Sequence, residues 1–314
     1  ANVNGGDKYT KYRISLDYDK RTNITTKSGA NERIAVANYL SHRTVNNLFK
    51  MEMNNTYSYI KINTVDLPIS TLFLPPDAPP AFIDNKINFS GWDPFTSFVE
   101  PFGSLFDTYN SGTSYLNSNL SLSLLPLKGL TLKTSIGYNS FNTDEIYVVP
   151  IAGQNPLYNP TGTINEGVTK GSSWIVEPQA EYIYNTKHFK TSFMVGSSIQ
   201  SVEQKTIGAA GFGFTDDNLL KSIANAPITA GVDAHGQYKY FAAFGRINLN
   251  YDDKYILNLN ARRDGSSRFG PGKQFGNFWS IGGAWIMSDE DWFKPLAKVI
   301  SFAKLRSSVG TVGS

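Results

Sequence analysis

The side chains able to do covalent or metal chemistry are few and scattered. The chain has no cysteine and three histidines, His42, His188 and His235. No His-x-x-x-His pair occurs, so thiolate metal sites, disulfide scaffolds and histidine-driven catalysis have little material. The densest polar constellation is Arg262-Arg263-Asp264 followed by Arg268, around Gly265-Ser266-Ser267. That combination suits either a polar contact with a bound molecule or partner, or a loop clamp in which an arginine braces Asp264 bidentately beside a turn. Gly265 and Gly270 have the wrong spacing for a nucleophile elbow, and no histidine falls on a matching element. Gly211-x-Gly213 lacks the third glycine of a phosphate loop. Asp216-Asp217-Asn218 offers oxygens but not the spaced carboxylates and closing glutamate of an EF-hand, and is more simply a helix N-cap. No enzyme, cofactor or metal site is expected.

A second group is aromatic. Trp92, Phe95, Phe98 and Phe102 follow the proline-rich Leu74–Pro80. Such rings could stack on the apolar faces of sugars, pack a loop stiffened by proline, or dock a partner protein. Trp279, Trp285 and Tyr255 suit a different place, the headgroup level of a membrane, where amphipathic rings collect.

These residues ride on elements that alternate. Leu257 and Leu259 alternate with Asn258, Asn260 and Arg262; Leu130, Leu132 and Ile136 with Lys133, Ser135 and Asn139; Phe189, Phe193 and Val195 with Lys190, Ser192 and Ser198. Period two means strands with one apolar and one wet face. Many segments reach ten residues, the length a tilted strand needs to cross hydrocarbon, whereas soluble strands cluster nearer five or six. Hydrophobic residues make up 40% and aromatics 13%, which suits side chains that each meet only one solvent. Net charge is +3 with no basic patch, which disfavours nucleic acid. No apolar run is long enough for a membrane helix. Ala1–Gly6 lacks the charged and apolar regions of a signal peptide, so any export signal would lie upstream.

About eleven strands are expected, at 9–19, 33–41, 48–62, 113–125, 130–147, 173–184, 189–201, 237–251, 254–264, 277–287 and 302–312. Their connections alternate short and long. Long ones fall at about 20–32, 63–112, 147–172, 202–236 and 264–276, as in outer-membrane barrels with short periplasmic turns and long extracellular loops. The link 288–301 is a longer periplasmic-side exception, with a Ser288-capped helical turn that Pro295 limits. Single-chain barrels close with even strand numbers, so an odd count argues for a segment of a larger barrel. The alternation places Lys133, Ser135, Asn139, Asn248, Asn250, Asn258, Asn260 and Arg262 toward a lumen.

Residues 244–314 closely resemble SusC-like TonB-dependent transporters, through Phe244–Asn258, Ala261–Gly272, Asn277–Trp285 and Ile300–Thr311. Residues 1–243 resemble that family in hairpin rhythm and in the opening Gly5–Leu16. The resemblance implies an all-β, transmembrane antiparallel barrel, about eleven strands of a 22-stranded plugged barrel, in the outer membrane of a Gram-negative bacterium. It implies import of large nutrients, oligosaccharide or peptide, with a SusD-like surface lipoprotein as lid and the TonB complex as energy source. Transporter–lid pairs could associate as dimers. The sequence carries neither plug nor TonB box, so the energy-coupling residues are not placed. Two other classes fit the alternation less well: a passive barrel or adhesin that binds through its loops, and a soluble β-sandwich carbohydrate-binding module.

Overall fold

The computed structural model describes residues 1–22, 29–65, 71, 73–92 and 102–311. Its strands are β1 (Asn2–Gly6), β2 (Thr10–Thr22), β3 (Ala30–Arg43), β4 (Phe49–Val65), β5 (Phe82–Ile83), β6 (Lys86–Ile87) and β7 (Thr108–Leu127). They continue as β8 (Leu130–Val149), β9 (Gly162–Asn185), β10 (Phe189–Phe214), β11 (Ile228–Tyr251), β12 (Tyr255–Ser266), β13 (Phe275–Ile286) and β14 (Lys304–Gly310). Twelve of them form one antiparallel meander in chain order, with β5 and β6 as a separate two-stranded hairpin. Each strand of the meander pairs with the one before and the one after it in that order, so among the described residues β1 and β14 each pair on one side only.

Residues directly opposite across an antiparallel pair share a face, so the registers assign every side chain. One row runs Leu120↔Ile136, Ile136↔Val176, Val176↔Ile199, Ile199↔Phe241. Another runs Tyr251↔Tyr255 and Tyr255↔Trp285. The face they define is apolar from β2 to β14. The opposite face carries Asn117↔Asn139, Asn248↔Asn258 and Asn260↔Ser280. All eight positions expected to face a lumen lie on this second, polar face.

On β10 the apolar face holds Phe189, Phe193, Val195 and Ile199, then turns polar at Ser201 and Glu203. Ten residue steps rise about 33 Å along a strand, or about 25 Å at a tilt of about 40°, the height of a barrel's apolar band. At the short-turn end of this band an aromatic run crosses four strands. Phe189 and Tyr251 are 4.8 Å apart, Tyr251 and Tyr255 6.2 Å, and Tyr255 stacks on Trp285 at 6.4 Å and 10°. On the polar face amides ladder across strands: Asn248 donates to Asn258 at 2.5 Å and Asn260 to Ser280 at 3.1 Å, while Asn117 donates to Asn139.

Almost nothing packs beneath either face. The chain exposes 20525 Å² of surface. A compact globule of this mass would expose about 13,000 Å². The molecule is a single-layer wall, and a sandwich, which needs a second sheet, is not its architecture. Its one cluster of buried apolar side chains among the described residues, Ile164, Phe214 and Leu220, sits at the long-loop end of β9 and β10. There Asp216 caps a 3-10 turn by accepting from Asn218 N at 2.8 Å, as its N-cap reading anticipates.

Four expectations need correction. The meander has twelve strands, because the five-residue β1, too short to show alternation, pairs with β2; the odd-count argument therefore falls. The stretches 147–172 and 202–236 are largely strand, and the connections there shrink to 150–161 and 215–227. Beyond the apolar band both faces are wet, so the period-two signal ends while backbone pairing continues. The stretch 264–276 likewise narrows to 267–274. Finally, Ser288 caps nothing: it lies inside the 3-10 turn Met287–Asp289, and two further turns, Asp291–Phe293 and Leu296–Lys298, complete the link without side-chain caps. That link is fastened by Glu290 instead, which accepts from Tyr255 Oη at 2.6 Å, Trp285 Nε1 at 3.0 Å and Lys254 Nζ at 3.2 Å.

Candidate functional site

The arginine constellation divides across the sheet. β12 is extended, so Arg262 and Asp264 share the polar face and Arg263 points to the other. Arg262 Nε donates to Asp264 Oδ1 at 2.6 Å, and Nη2 donates to Tyr240 Oη on β11, also at 2.6 Å. Its guanidinium also lies 5.4 Å from the Phe244 ring, its direct cross-strand partner. The fork thus spans two acceptors on two strands rather than gripping Asp264 bidentately. Such a divided fork fixes the guanidinium plane, because rotating it would break both charge-assisted bonds at once.

Arg268, in the connection after β12, stacks over Tyr238 at 4.6 Å. Tyr238 in turn stacks with Tyr240 at 6.5 Å and 22°. The structure therefore brings Arg262, Asp264 and Arg268 together through two tyrosines. Arg263 stands apart, over Phe275 at 4.9 Å on the apolar face. Sequence reasoning passed over Tyr238, Tyr240 and Phe244 as site residues. The available signal was parity, since even-numbered positions of β11 lie opposite even-numbered positions of β12. The serines of the constellation are occupied by the backbone: Ser266 Oγ accepts from Arg268 N at 3.3 Å and Ser267 Oγ from Lys239 N at 2.9 Å. They hold the connection in place.

The resulting surface offers flat rings, a phenol, a fixed guanidinium and a carboxylate side by side. It can take polar solutes through hydrogen bonds to hydroxyls, amides or carboxylates and through stacking on their apolar faces. Its rim sits at the long-loop end of the polar face, where β11 and β12 pass into the 267–274 connection.

The loop aromatics form a second cluster. Trp92 Nε1 donates to Asn88 O at 2.8 Å, and the Trp92 ring meets Phe102 edge-on at 6.0 Å. Phe102 also meets Phe82 at 6.3 Å. Phe95 and Phe98 lie outside the described residues. Trp92 and Phe102 are half-buried and largely satisfied by their own loop.

A candidate site on a one-layer wall gains meaning from proteins that share the wall. No family model matches the chain. A TonB-dependent receptor of Formosa agariphila is 30% identical over 64% of this chain, and the match covers 19% of that relative. The TonB-dependent receptor SusC of Bacteroides thetaiotaomicron is 25% identical over 100% of the chain, covering 33% of SusC. The resemblance is to TonB-dependent receptors, SusC among them, and it runs the length of the chain. The chain spans a third or less of these relatives. Among solved structures, the RagAB peptide importer in its open-open state superimposes with a TM-score of 0.75 at 20% identity, over 98% of this chain and 35% of that one. The ferric preacinetobactin receptor BauA of Acinetobacter baumannii follows the same fold more loosely, with a TM-score of 0.52 at 11% identity. The open sheet thus has the fold of a stretch of β-barrel wall, all-β and antiparallel, and resembles the barrels of TonB-dependent receptors.

Proposed function

We propose that this chain forms part of the barrel wall of a SusC-like importer in the outer membrane of a Gram-negative bacterium. The observation that carries the proposal is the sheet's two-faced character: an apolar band of about 25 Å on one face and an asparagine ladder on the other. In this reading the apolar face meets lipid and the polar face lines a plugged lumen. The connections at 23–29, 66–107, 150–161, 215–227 and 267–274 are extracellular, and the tight turns are periplasmic. Hydrocarbon leaves no water for backbone groups, so the free edges of β1 and β14 would pair with further strands to close the barrel.

The cargo would be a large nutrient, a glycan oligomer or a peptide, admitted under a SusD-like lid lipoprotein and driven through TonB. Paired transporter–lid units would be its assembled form. Arg262, Asp264 and Arg268, with Tyr238 and Tyr240, would touch cargo or plug at the upper lumen. Trp92, Phe95, Phe98 and Phe102 would pack the long loop against the lid. Many moderate contacts suit a transporter, which must release what it binds. The role is passage, not catalysis.

Sidedness tests the proposal. Leu157, 83% exposed in the 150–161 connection, and Lys187, in a tight turn, would each be replaced by cysteine in the otherwise cysteine-free chain. A membrane-impermeant maleimide on intact cells should label Leu157→Cys and spare Lys187→Cys. The reverse pattern would overturn the topology.

A further inference from the structure

Above the apolar band, the lipid-side face of β8, β9 and β10 changes character in ordered steps. The row Ile136↔Val176 is aliphatic, and next above it Tyr138 lies opposite Trp174. Ser140 and Ser172 come next, and above them Lys170 lies directly opposite Lys205. Lys205 is in turn opposite His235 on β11. Like charges directly opposite repel, and such a pair is usually avoided or neutralised.

Neither lysine forms an ion pair among the described residues. Of the carboxylates on the same face, Glu203 bonds to His235 Nε2 at 2.9 Å, Asp144 accepts from Asn142 Nδ2 at 3.2 Å, and Asp233 stands diagonally across from Lys205. Lys170 and Lys205 border a shallow groove of about 470 Å³ that also takes in Tyr57, Leu116, Ser140, Ser172 and the carboxylate of Glu203.

Resting on the wall reading above, we infer that this groove binds the phosphate headgroup of a membrane lipid in the long-loop-side leaflet. Lys170 and Lys205 would hold the phosphate, Ser140 and Ser172 the hydroxyls or esters below it. The acyl chains would run down over Tyr138 and Trp174. The order of cation, hydroxyl, amphipathic ring and aliphatic side chain repeats the order of phosphate, linker, interface and tail in a lipid. A free phosphate ion would use the two lysines alone and leave the lower steps without a purpose.

The test uses the complete transporter that carries this chain, purified in detergent and given phosphatidic acid, diacylglycerol of the same tails, phosphatidylcholine or inorganic phosphate. Bound lipid is counted by native mass spectrometry. The parent should retain phosphatidic acid in preference to diacylglycerol and phosphatidylcholine. The Lys170→Gln/Lys205→Gln double variant should lose that preference by roughly tenfold to thirtyfold, the scale on which two headgroup-level lysines act. Lys170→Arg/Lys205→Arg should keep it, as should Lys187→Gln at the other end of the wall. Heat-modifiable gel mobility establishes that each variant is folded. An unchanged preference in the double glutamine variant would overturn the inference, as would inorganic phosphate that displaces phosphatidic acid at equal concentration. Failure of the wall reading looks different: no lipid of any class would stay bound to the parent.

Discussion

Val195 and Met194 are neighbours on β10 that point to opposite faces, and replacing each with arginine should give opposite outcomes. Val195 is 63% exposed, lies opposite Ala180 on β9 and Gly245 on β11, and stands six residues from Phe189. Six steps at about 3.3 Å, tilted by about 40°, put it about 15 Å into a band about 25 Å high, near the middle. An arginine at mid-bilayer on the lipid face of a barrel costs about 2–4 kcal/mol. Val195→Arg should therefore weaken the folding equilibrium by about 30-fold to 1000-fold, since 1.4 kcal/mol is a factor of ten. Met194 lies opposite Glu181 and Arg246 on the polar face, where water is at hand and a carboxylate is near. Met194→Arg should stay within about 1 kcal/mol of the parent. The assay is equilibrium unfolding in guanidinium from phospholipid vesicles, followed by tryptophan emission. Equal costs for the two variants, or a larger cost for Met194→Arg, would refute the assignment of faces.

Three more outcomes follow from named contacts. Arg262→Ala removes both bonds of the divided fork and should cost about 1–2 kcal/mol in denaturant unfolding, discounted because the pair is partly exposed; Arg262→Lys should recover less than half, since an ammonium is a point donor and cannot fill the planar fork. Gly129, in the turn between β7 and β8, has φ +87, and a Cβ there would sit 2.4 Å from Ile183 O, so Gly129→Ala should cost about 1–3 kcal/mol and lower the melting temperature. Glu290 is held below its ordinary carboxyl value of 4.5, first by the hydrogen bond from Tyr255 and then by those from Trp285 and Lys254. A carboxylate with a lowered folded value contributes stability above its unfolded value and loses it as pH falls through the folded one. The melting-temperature gap between parent and Glu290→Gln should therefore be widest above pH 4.5 and close as the solution is acidified further.

What the sequence disclosed was whatever alternates. Leu257-Asn258-Leu259-Asn260 announces a two-faced strand because each position answers to one solvent, and the register places both sets where parity says. Val202–Phe214 announces nothing of the kind. It pairs with β9 and β11 where both faces are wet, so the backbone keeps its ladder without a side-chain pattern to betray it. β1 escaped because Asn-Val-Asn-Gly-Gly holds one apolar residue, and pairing with Lys11 to Ser15 supplies the rest. The arginine constellation was visible as composition, but its division was not: adjacency in sequence suggested one cluster, whereas the pleat sends Arg263 to the far face. The tyrosines that join Arg262 to Arg268 lie some 22 residues upstream, and only the β11–β12 register brings them into reach.

Lipid contact along β10 is the most direct measurement of the central claim. The chain has no cysteine, so single cysteines can be placed at each position of 189–199 and labelled with a fluorophore in bilayers that contain brominated lipid. Quenching should alternate with period two, strong at 189, 193, 195 and 199 and weak at 190, 192, 194 and 198. Uniform quenching, or strong quenching at the even positions, would contradict a wall with lipid on one side and water on the other.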